Sequence, residues 1–331
     1  MFDTLKKLVA CHGISGNESA VADKIEGLIA PYVDECKRDA LGNLIALKKG
    51  NGDHKKVMLC AHMDEIGFMV TFIEENGNLR VAPIGGINFT AYSFSHVVSS
   101  KGVAGVLVPE SGTKAGEITA DKCYIDIGAK NRKEAEKKVS VGDAFVVEPS
   151  LKRLMGKRVA GRPLDDRIGC AVLIESAKKL AESNCPHDMY YVFSVQEEVG
   201  CRGAKPASFE IQPDLAIVCD VTGTGDVPGA KPMDVSIGGG AAIKIKDASV
   251  ICHTETVGQL IETAKVKKIK HQCEILAYGG TDTSSIQMSG MGCRAAAISI
   301  PTRYIHSGVE MADLDDATAT VDLICDFVKE Y

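Results

Sequence analysis

The chain of 331 residues contains no tryptophan, and only 5% of its residues are aromatic. That scarcity argues against a long cleft that stacks sugar rings on aromatic side chains. The chain also lacks a surplus of basic residues, since 38 Lys and Arg stand against 44 Asp and Glu. A net charge of -6 gives no electrostatic footprint for nucleic acid or for an anionic membrane. We therefore expect neither as a partner.

Long apolar runs are missing as well. None approaches the roughly 18 residues that a membrane-spanning helix needs, and residues 1–16 lack the apolar centre of a signal peptide. The twelve cysteines include no Cys-Xaa-Xaa-Cys pair, which argues against a zinc ribbon or a redox motif. Most of them lie in apolar segments, where a reduced thiol acts as a small hydrophobic group. Together these features predict a cytoplasmic protein.

The order of sequence patterns predicts an α/β fold that a β-rich segment interrupts. Residues 17–30 have helical spacing, and a first core strand begins at residue 57. Helical periodicity then nearly vanishes between residues 67 and 158, where strand-like runs follow one another. Beyond residue 161, helices near 166–183, 255–268 and 315–329 alternate with apolar strands. We predict a mostly parallel or mixed sheet flanked by helices, formed by residues 1–66 and 159–331, with residues 67–158 as an all-β, barrel-like insertion.

Acidic and imidazole side chains come at or just beyond the ends of the apolar, strand-like runs. They are His62, Asp165, Glu197, Glu198, Asp220 and His306. Because the carboxyl ends of parallel strands share one edge of a sheet, we expect these residues to converge there. The sequence therefore predicts an active site at that edge.

Each of these signals also has an ordinary structural explanation. Asp165 and Asp166 precede a helix and suit a helix cap, a solvated turn would explain Glu197 and Glu198, and a histidine at a strand end is often structural. Independent structural causes would not place all of them at strand ends. Two histidines with three carboxylates suit two divalent ions, Zn²⁺, Co²⁺ or Mn²⁺, with one carboxylate bridging and one carboxylate left over as a base. Asp64 lies on the same strand face as His62 and can accept its free ring N–H.

Six segments resemble one family of enzymes in order and along nearly the whole chain. They are HMDEIGFMV, LDDRIGC, VQEEVGCRGA, CDVTGTGDVPG, GGTDTSS and IPTRYIHSGVEM. The family is that of the dinuclear metallo-aminopeptidases that assemble as tetrahedral dodecamers, some members of which carry a cellulase-like label. It includes glutamyl, leucyl, lysyl and deblocking aminopeptidases, so the shared motifs predict no preferred N-terminal residue.

The resemblance implies a role for each residue of the predicted site. His62 and Asp220 would bind one metal ion, Glu198 and His306 the other, and Asp165 both. Two further roles follow by the same resemblance: Glu197 would be the general base and Asp64 the partner of the first histidine. A cis peptide bond is implied between Asp165 and Asp166. Zinc is the metal that we expect first, with cobalt or manganese as alternatives.

The same resemblance implies what the protein acts on and how it assembles. Short peptides with a free N-terminus would be the substrates, and the insertion would hold dimers that build a dodecamer. A related dinuclear carboxypeptidase or acylamino-acid deacylase could share the metal site. A glycosidase would leave both histidines unexplained, and a closed structural metal site needs fewer ligands. The insertion and the IPTRYIHS segment favour the aminopeptidase.

Overall fold

The computed structural model describes residues 1–52 and 55–331. The strands in those residues are β1 Glu35–Arg38, β2 Leu44–Lys48, β3 Lys56–His62, β4 Gly67–Ile73, β5 Leu79–Ile84, β6 His96–Ser99, β7 Ala104–Pro109, β8 Cys123–Asp126, β9 Ala144–Val147, β10 Ser150–Arg153, β11 Arg158–Arg162, β12 Asp188–Ser194, β13 Leu215–Thr222, β14 Ala241–Lys246, β15 His271–Ile275, β16 Ala295–Arg303 and β17 Glu310–Asp313. The helices are α1 Phe2–Val9, α2 Ser19–Ile29, α3 Phe89–Tyr92, α4 Arg132–Ala135, α5 Arg167–Ala181, α6 Ala204–Ile211, α7 Thr254–Val266, α8 Asp282–Gln287 and α9 Leu314–Glu330.

A mixed sheet forms the centre of the larger part of the chain. Its main path runs β1-β2-β12-β3-β13-β16-β17-β11-β10, and β14 joins β16 to β15. The strands β12, β3, β13 and β16 are parallel to one another. Their side chains are almost all buried, as expected of parallel strands that helices cover on both faces. This confirms the predicted α/β class and the predicted flanked, mixed sheet.

Two groups of helices cover that sheet. One group includes α5, which packs on α1, α2 and α9 and reaches β3 and β13. The other consists of α6 and α8, which pack on each other and also reach β3. The apolar core between these layers includes Leu59, Ile217 and Ile298, each fully buried. In the described part of the chain, no helix is long and apolar enough to cross a membrane.

The insertion closes into a six-stranded antiparallel barrel of strand order β4-β5-β8-β7-β6-β9. It has its own apolar core, which includes Phe68, Leu107 and Phe145. At the junction with the sheet, a Cβ on Gly67 would lie 2.5 Å from the carbonyl oxygen of Phe145, so only glycine fits there. The barrel strands lie between residues 67 and 147, and β10 and β11 belong to the large sheet. The predicted limits of 67 and 158 stay a prediction.

The sequence patterns did not predict the helices α1, α3, α4, α6 and α8. Helix α1 buries Leu5, Leu8 and Val9 on one side, at helical spacing. The short helices α3 and α4 each follow an asparagine cap, Asn88 or Asn131, whose side chain accepts a backbone N–H. These single turns leave no periodicity that a sequence could reveal.

Candidate active site

Four parallel strands bring the predicted site residues other than Asp165 to one edge of the sheet, and Asp165 lies between β11 and α5. His62 is the last residue of β3, and Asp220 lies near the end of β13. Glu197 and Glu198 follow β12, while His306 follows β16. Since these strands run side by side in the order β12, β3, β13 and β16, their carboxyl ends meet as the sequence pattern predicts.

Asp165 lies between the two histidines. Its Oδ1 is 3.1 Å from Nε2 of His62, and its Oδ2 is 3.3 Å from Nε2 of His306. Each histidine also faces a second carboxylate: Asp220 Oδ1 lies 3.8 Å from Nε2 of His62, and Glu198 lies 3.1 Å from Nε2 of His306. The five side chains thus form two imidazole-carboxylate pairs that share one carboxylate.

Asp64 organises one side of this cluster from a buried position. Its Oδ1 lies 3.3 Å from Nδ1 of His62, which leaves Nε2 of that ring directed at Asp165. The same carboxylate accepts the backbone N–H groups of Glu197 at 3.0 Å and Glu198 at 3.3 Å, and the hydroxyl of Ser15 at 2.6 Å. Asp64 therefore fixes both a histidine ring and the start of the loop that carries two acids.

Glu197 lines the same cavity as His62 and His306. Its Oε1 accepts a hydrogen bond from the Cys201 thiol at 3.1 Å. Burial raises the pKa of Glu197 well above its usual value, and the nearby carboxylates of Asp220 and Asp282 raise it further against the opposing effect of His62. A buried carboxyl of this kind has the proton affinity that a general base needs.

The electrostatics of the cluster fit a site for cations. Burial raises the pKa of Asp220 well above its usual value. Burial would lower the pKa of His306, but Asp165 and Glu198 outweigh it and raise that pKa to about 11. Bringing several carboxylates together at a buried edge requires positive charge, which divalent cations supply. The donor set of imidazole nitrogens and carboxylate oxygens is one that Zn²⁺, Co²⁺ and Mn²⁺ accept.

Asp166 lies as near to His62 and Asp220 as a metal ligand would, so both it and Asp165 are candidates for the cluster. One of its oxygens caps α5 by accepting the N–H of Gly169 at 3.0 Å, and the other has no hydrogen-bond partner. Ligand atoms of His62, Asp166 and Asp220 lie within 4.8 Å of one another, as do those of His62, Asp165 and Glu198. The peptide bond between Asp165 and Asp166 is cis, as the resemblance implies. Asp165 alone contacts both histidines in hydrogen-bonding range, and Asp166 has its predicted role as the helix cap.

Two buried ion pairs that support the site were missed by the sequence analysis. Glu310 pairs with Arg162 at 2.8 Å, and its second oxygen accepts the backbone N–H groups of Leu164 at 2.6 Å and Asp165 at 3.1 Å. Arg167 pairs with Glu65 at 3.2 Å, and its guanidinium also donates to backbone carbonyls of the segments before α2 and after β3. The sequence signal that could have revealed them is a charged residue directly before an apolar run, such as Arg167 before IGCAVLI.

A cavity of about 930 Å³ opens beside the cluster. His62, Asp165, Glu198, Asp220 and His306 lie at its base with Glu197. The wall is formed by residues that follow β13, β15 and β16. The cavity can therefore place a ligand against a candidate metal-binding cluster that has a further carboxylate, that of Glu197, beside it.

Comparison with known proteins agrees with this geometry. Residues 42–323 match the family model described as M42 glutamyl aminopeptidase. A protein of Acetivibrio thermocellus that is provisionally named an aminopeptidase is 46% identical, over 99% of this chain and 98% of its own. The lysyl aminopeptidase of Pyrococcus furiosus is 36% identical, over 99% of this chain and 97% of its own.

Solved structures of similar proteins extend the likeness to the whole fold. An aminopeptidase of the archaeon Desulfurococcus kamchatkensis superposes with a TM-score of 0.95 at 36% identity, over 99% of this chain and 94% of its own. The TET1 peptidase of Pyrococcus horikoshii, which can assemble into a tetrahedron or a large octahedral shell, gives 0.88 at 34% identity over 100% and 99%. The chain belongs to the M42 family of aminopeptidases. The resemblance found in the motifs is confirmed.

Proposed function

We propose that this chain is a metal-dependent aminopeptidase that hydrolyses the N-terminal peptide bond of short peptides at a dinuclear centre. The observation that carries this proposal is the position of Asp165, whose two oxygens face His62 and His306 separately. One carboxylate between two nitrogen ligands suits two cations that share it. A closed structural site for one cation would need neither the second histidine nor the additional carboxylates.

The ligands divide between two cations as the resemblance implies. His62 and Asp220 would hold one cation, Glu198 and His306 would hold the other, and Asp165 would contact both. Their imidazole and carboxylate donors suit Zn²⁺ best, with Co²⁺ and Mn²⁺ as alternatives. The separations between these side chains support the division, because each histidine has its second carboxylate within 4 Å.

The chemistry requires a water, a base and a bound carbonyl group. The bound cations would polarise that carbonyl group and lower the pKa of the water. Glu197 accepts the proton of the attacking water and returns it to the nitrogen of the leaving amine. Asp64 keeps Glu197 in place by accepting the backbone N–H of Glu197, and it holds His62 in the tautomer that binds metal.

A free N-terminus is the end of a peptide that this site would recognise. The base of the cavity carries four carboxylates, those of Asp165, Glu197, Glu198 and Asp220, against two imidazoles. Two bound divalent cations would cancel the charge of these carboxylates, so charge alone does not distinguish an α-ammonium group from a C-terminal carboxylate. The match to glutamyl and lysyl aminopeptidases is what favours the aminopeptidase over related dinuclear hydrolases.

We also propose that the chain self-associates into dimers and a hollow dodecamer in the cytoplasm. The likeness to the TET1 peptidase supports the assembly. Because the barrel is closed, it leaves no free strand edge, so subunits would meet through side chains such as Met69 and Phe72, which are 40% and 49% exposed. All twelve cysteines are unpaired in the structure, which suits a reducing compartment.

Hydrolysis of a panel of substrates by chelated and metal-restored protein tests the proposed function. Leucyl p-nitroanilide and a short peptide should be cleaved after Zn²⁺, Co²⁺ or Mn²⁺ is added, and the N-acetylated forms should resist cleavage. Activity that survives complete removal of metal would overturn the proposal. So would release of the C-terminal residue, or turnover of the acylated substrates alone, which would mark a carboxypeptidase or a deacylase.

A further inference from the structure

We propose that the cavity selects peptides whose N-terminal side chain is uncharged and apolar, and that Asp226 maintains this selectivity by neutralising Arg303. This inference rests on the proposed aminopeptidase function. It adds a substrate class, which the family resemblance leaves open among acidic, apolar and basic residues.

The wall of the cavity away from the catalytic acids is largely apolar. Its side chains include Val227, Pro232, Met233, Ile275, Leu276 and Tyr278. Ile275 and Tyr278 expose 60% and 56% of their surface in the free chain, so they have area left to bury against a ligand. Burial of apolar surface on these side chains favours a leucine or methionine side chain over a charged one.

Arg303 lines the wall with a partly buried side chain, 16% exposed, and pairs with the more exposed Asp226, whose side chain is 25% exposed. The guanidinium Nε lies 3.1 Å from Asp226 Oδ1, and a second nitrogen lies 2.6 Å from Oδ2. The pair is thus bidentate, the geometry in which arginine binds a carboxylate most strongly. Asp226 is held in turn by the backbone N–H of Ile237 at 3.2 Å. An acidic substrate side chain would have to displace this carboxylate.

The ion pair follows from the pairing of two strands. Asp226 lies four residues beyond β13, and Arg303 is the last residue of β16. In the parallel pairing of these strands Thr222 stands opposite Pro301, so the two segments that end these strands reach the cavity side by side. The charge of Arg303 is therefore neutralised by the fold itself before any substrate binds.

Charged substrates find no better partner elsewhere in the wall. Among the described residues of the wall, Lys231 is the other lysine or arginine, but it is exposed, and an exposed ammonium attracts an acid only weakly in salt solution. Among the described residues that line the cavity, the carboxylates are those of the proposed metal cluster, Asp165, Glu197, Glu198 and Asp220. A lysine or arginine side chain in the apolar wall would therefore remain unpaired.

The first test compares p-nitroanilides of leucine, methionine, glutamate and lysine on the metal-replete wild-type protein. We expect kcat/KM for leucine and methionine to exceed those for glutamate and lysine by about tenfold or more, the discrimination that an apolar pocket provides. A higher value for glutamate or lysine would overturn this inference and leave the aminopeptidase activity intact. Failure to cleave any of the four would instead count against the proposed function on which the inference rests.

The second test frees Arg303 with the substitution Asp226→Asn. The ratio of kcat/KM for glutamate to that for leucine should rise about tenfold, the contribution of one strong charge-assisted hydrogen bond. Adding Arg303→Met to that variant should remove the gain. An unchanged ratio in a folded Asp226→Asn protein would overturn the role of the ion pair.

Two single variants keep the inference testable if Asp226→Asn does not fold. Arg303→Met should leave the wild-type ratio of glutamate to leucine within about twofold, because a neutralised guanidinium contributes little to binding acids. Lys231→Met should do the same, because the exposed ammonium is screened. A selective fall of about tenfold or more in glutamate turnover in either variant would show that this cation recognises acidic substrates, against the inference.

Discussion

Glu310 is a buried carboxylate that we expect to control how tightly the site holds metal, although it is not one of the proposed ligands. One of its oxygens pairs with Arg162, and the other accepts the backbone N–H groups of Leu164 and Asp165. The substitution Glu310→Gln keeps the size of the side chain and removes its charge. Arg162, which is 1% exposed, would then lose its anionic partner.

The structure sets the size of the expected effect. Breaking a buried ion pair by removing one partner costs about 3–5 kcal/mol of unfolding free energy. For a chain of 331 residues the entropy of unfolding scales to roughly 0.7 kcal/mol/K, so Tm should fall by about 4–7 °C. The affinity for metal should fall by about 10- to 100-fold, as when the hydrogen-bond partner of a metal ligand is lost, because the backbone of Asp165 is no longer fixed.

Metal affinity is measured by competition with a chromophoric chelator, and Tm by thermal unfolding of the chelated protein. Asp316→Asn is the matched control, since the buried Asp316 also accepts two backbone N–H groups, those of Gly238 and Gly240 at 2.7 Å each, but outside the site. It should lower stability and leave metal affinity unchanged. If Glu310→Gln lowers Tm while metal affinity stays equal to that of the wild type, our reasoning about Asp165 is refuted.

Three further outcomes are expected. Asp64→Asn should weaken metal binding by about 10- to 100-fold in the same competition assay, because the side chain that faces Nδ1 of His62 loses its negative charge; unchanged affinity would contradict that role. Metal binding should release protons at neutral pH. Asp165 and Glu198 raise the pKa of His306 to about 11 against the effect of burial, so its ring must lose a proton to become a ligand. Calorimetry in buffers of different ionisation enthalpy measures the number of protons released, and a value of zero would contradict this prediction. Light scattering should show an assembly larger than a dimer for the metal-replete protein, whereas a monomer with and without metal would rule the assembly out.

The sequence predicted the parts of the site that depend on local position along a strand. His62 and Asp220 each lie at or near the end of an apolar strand, and parallel strands bring such ends together whatever the details of packing. The capping role of Asp166 was equally local, because a cap needs only the helix that follows it.

What the sequence did not predict depends on contacts between distant segments. Glu310 reaches the backbone of Asp165 because β17 pairs with β11, where Gly161 stands opposite Glu310. The pairing of Asp226 with Arg303 likewise requires β13 and β16 to be neighbours. Closure of the barrel is set by the pairing of β4 with β9, whose members Phe68 and Phe145 lie far apart in the chain. No local pattern specifies which strand lies beside which.

The most direct test of the account is the turnover of Glu197→Gln together with its metal content. If Glu197 moves the proton of the attacking water and does not bind metal, the variant should keep two metal ions per subunit in elemental analysis. Its kcat on leucyl p-nitroanilide should fall by a factor of about 10² or more, the contribution of a positioned general base. Near-normal turnover, or loss of metal from the variant, would contradict the assignment of Glu197 and with it the proposed mechanism.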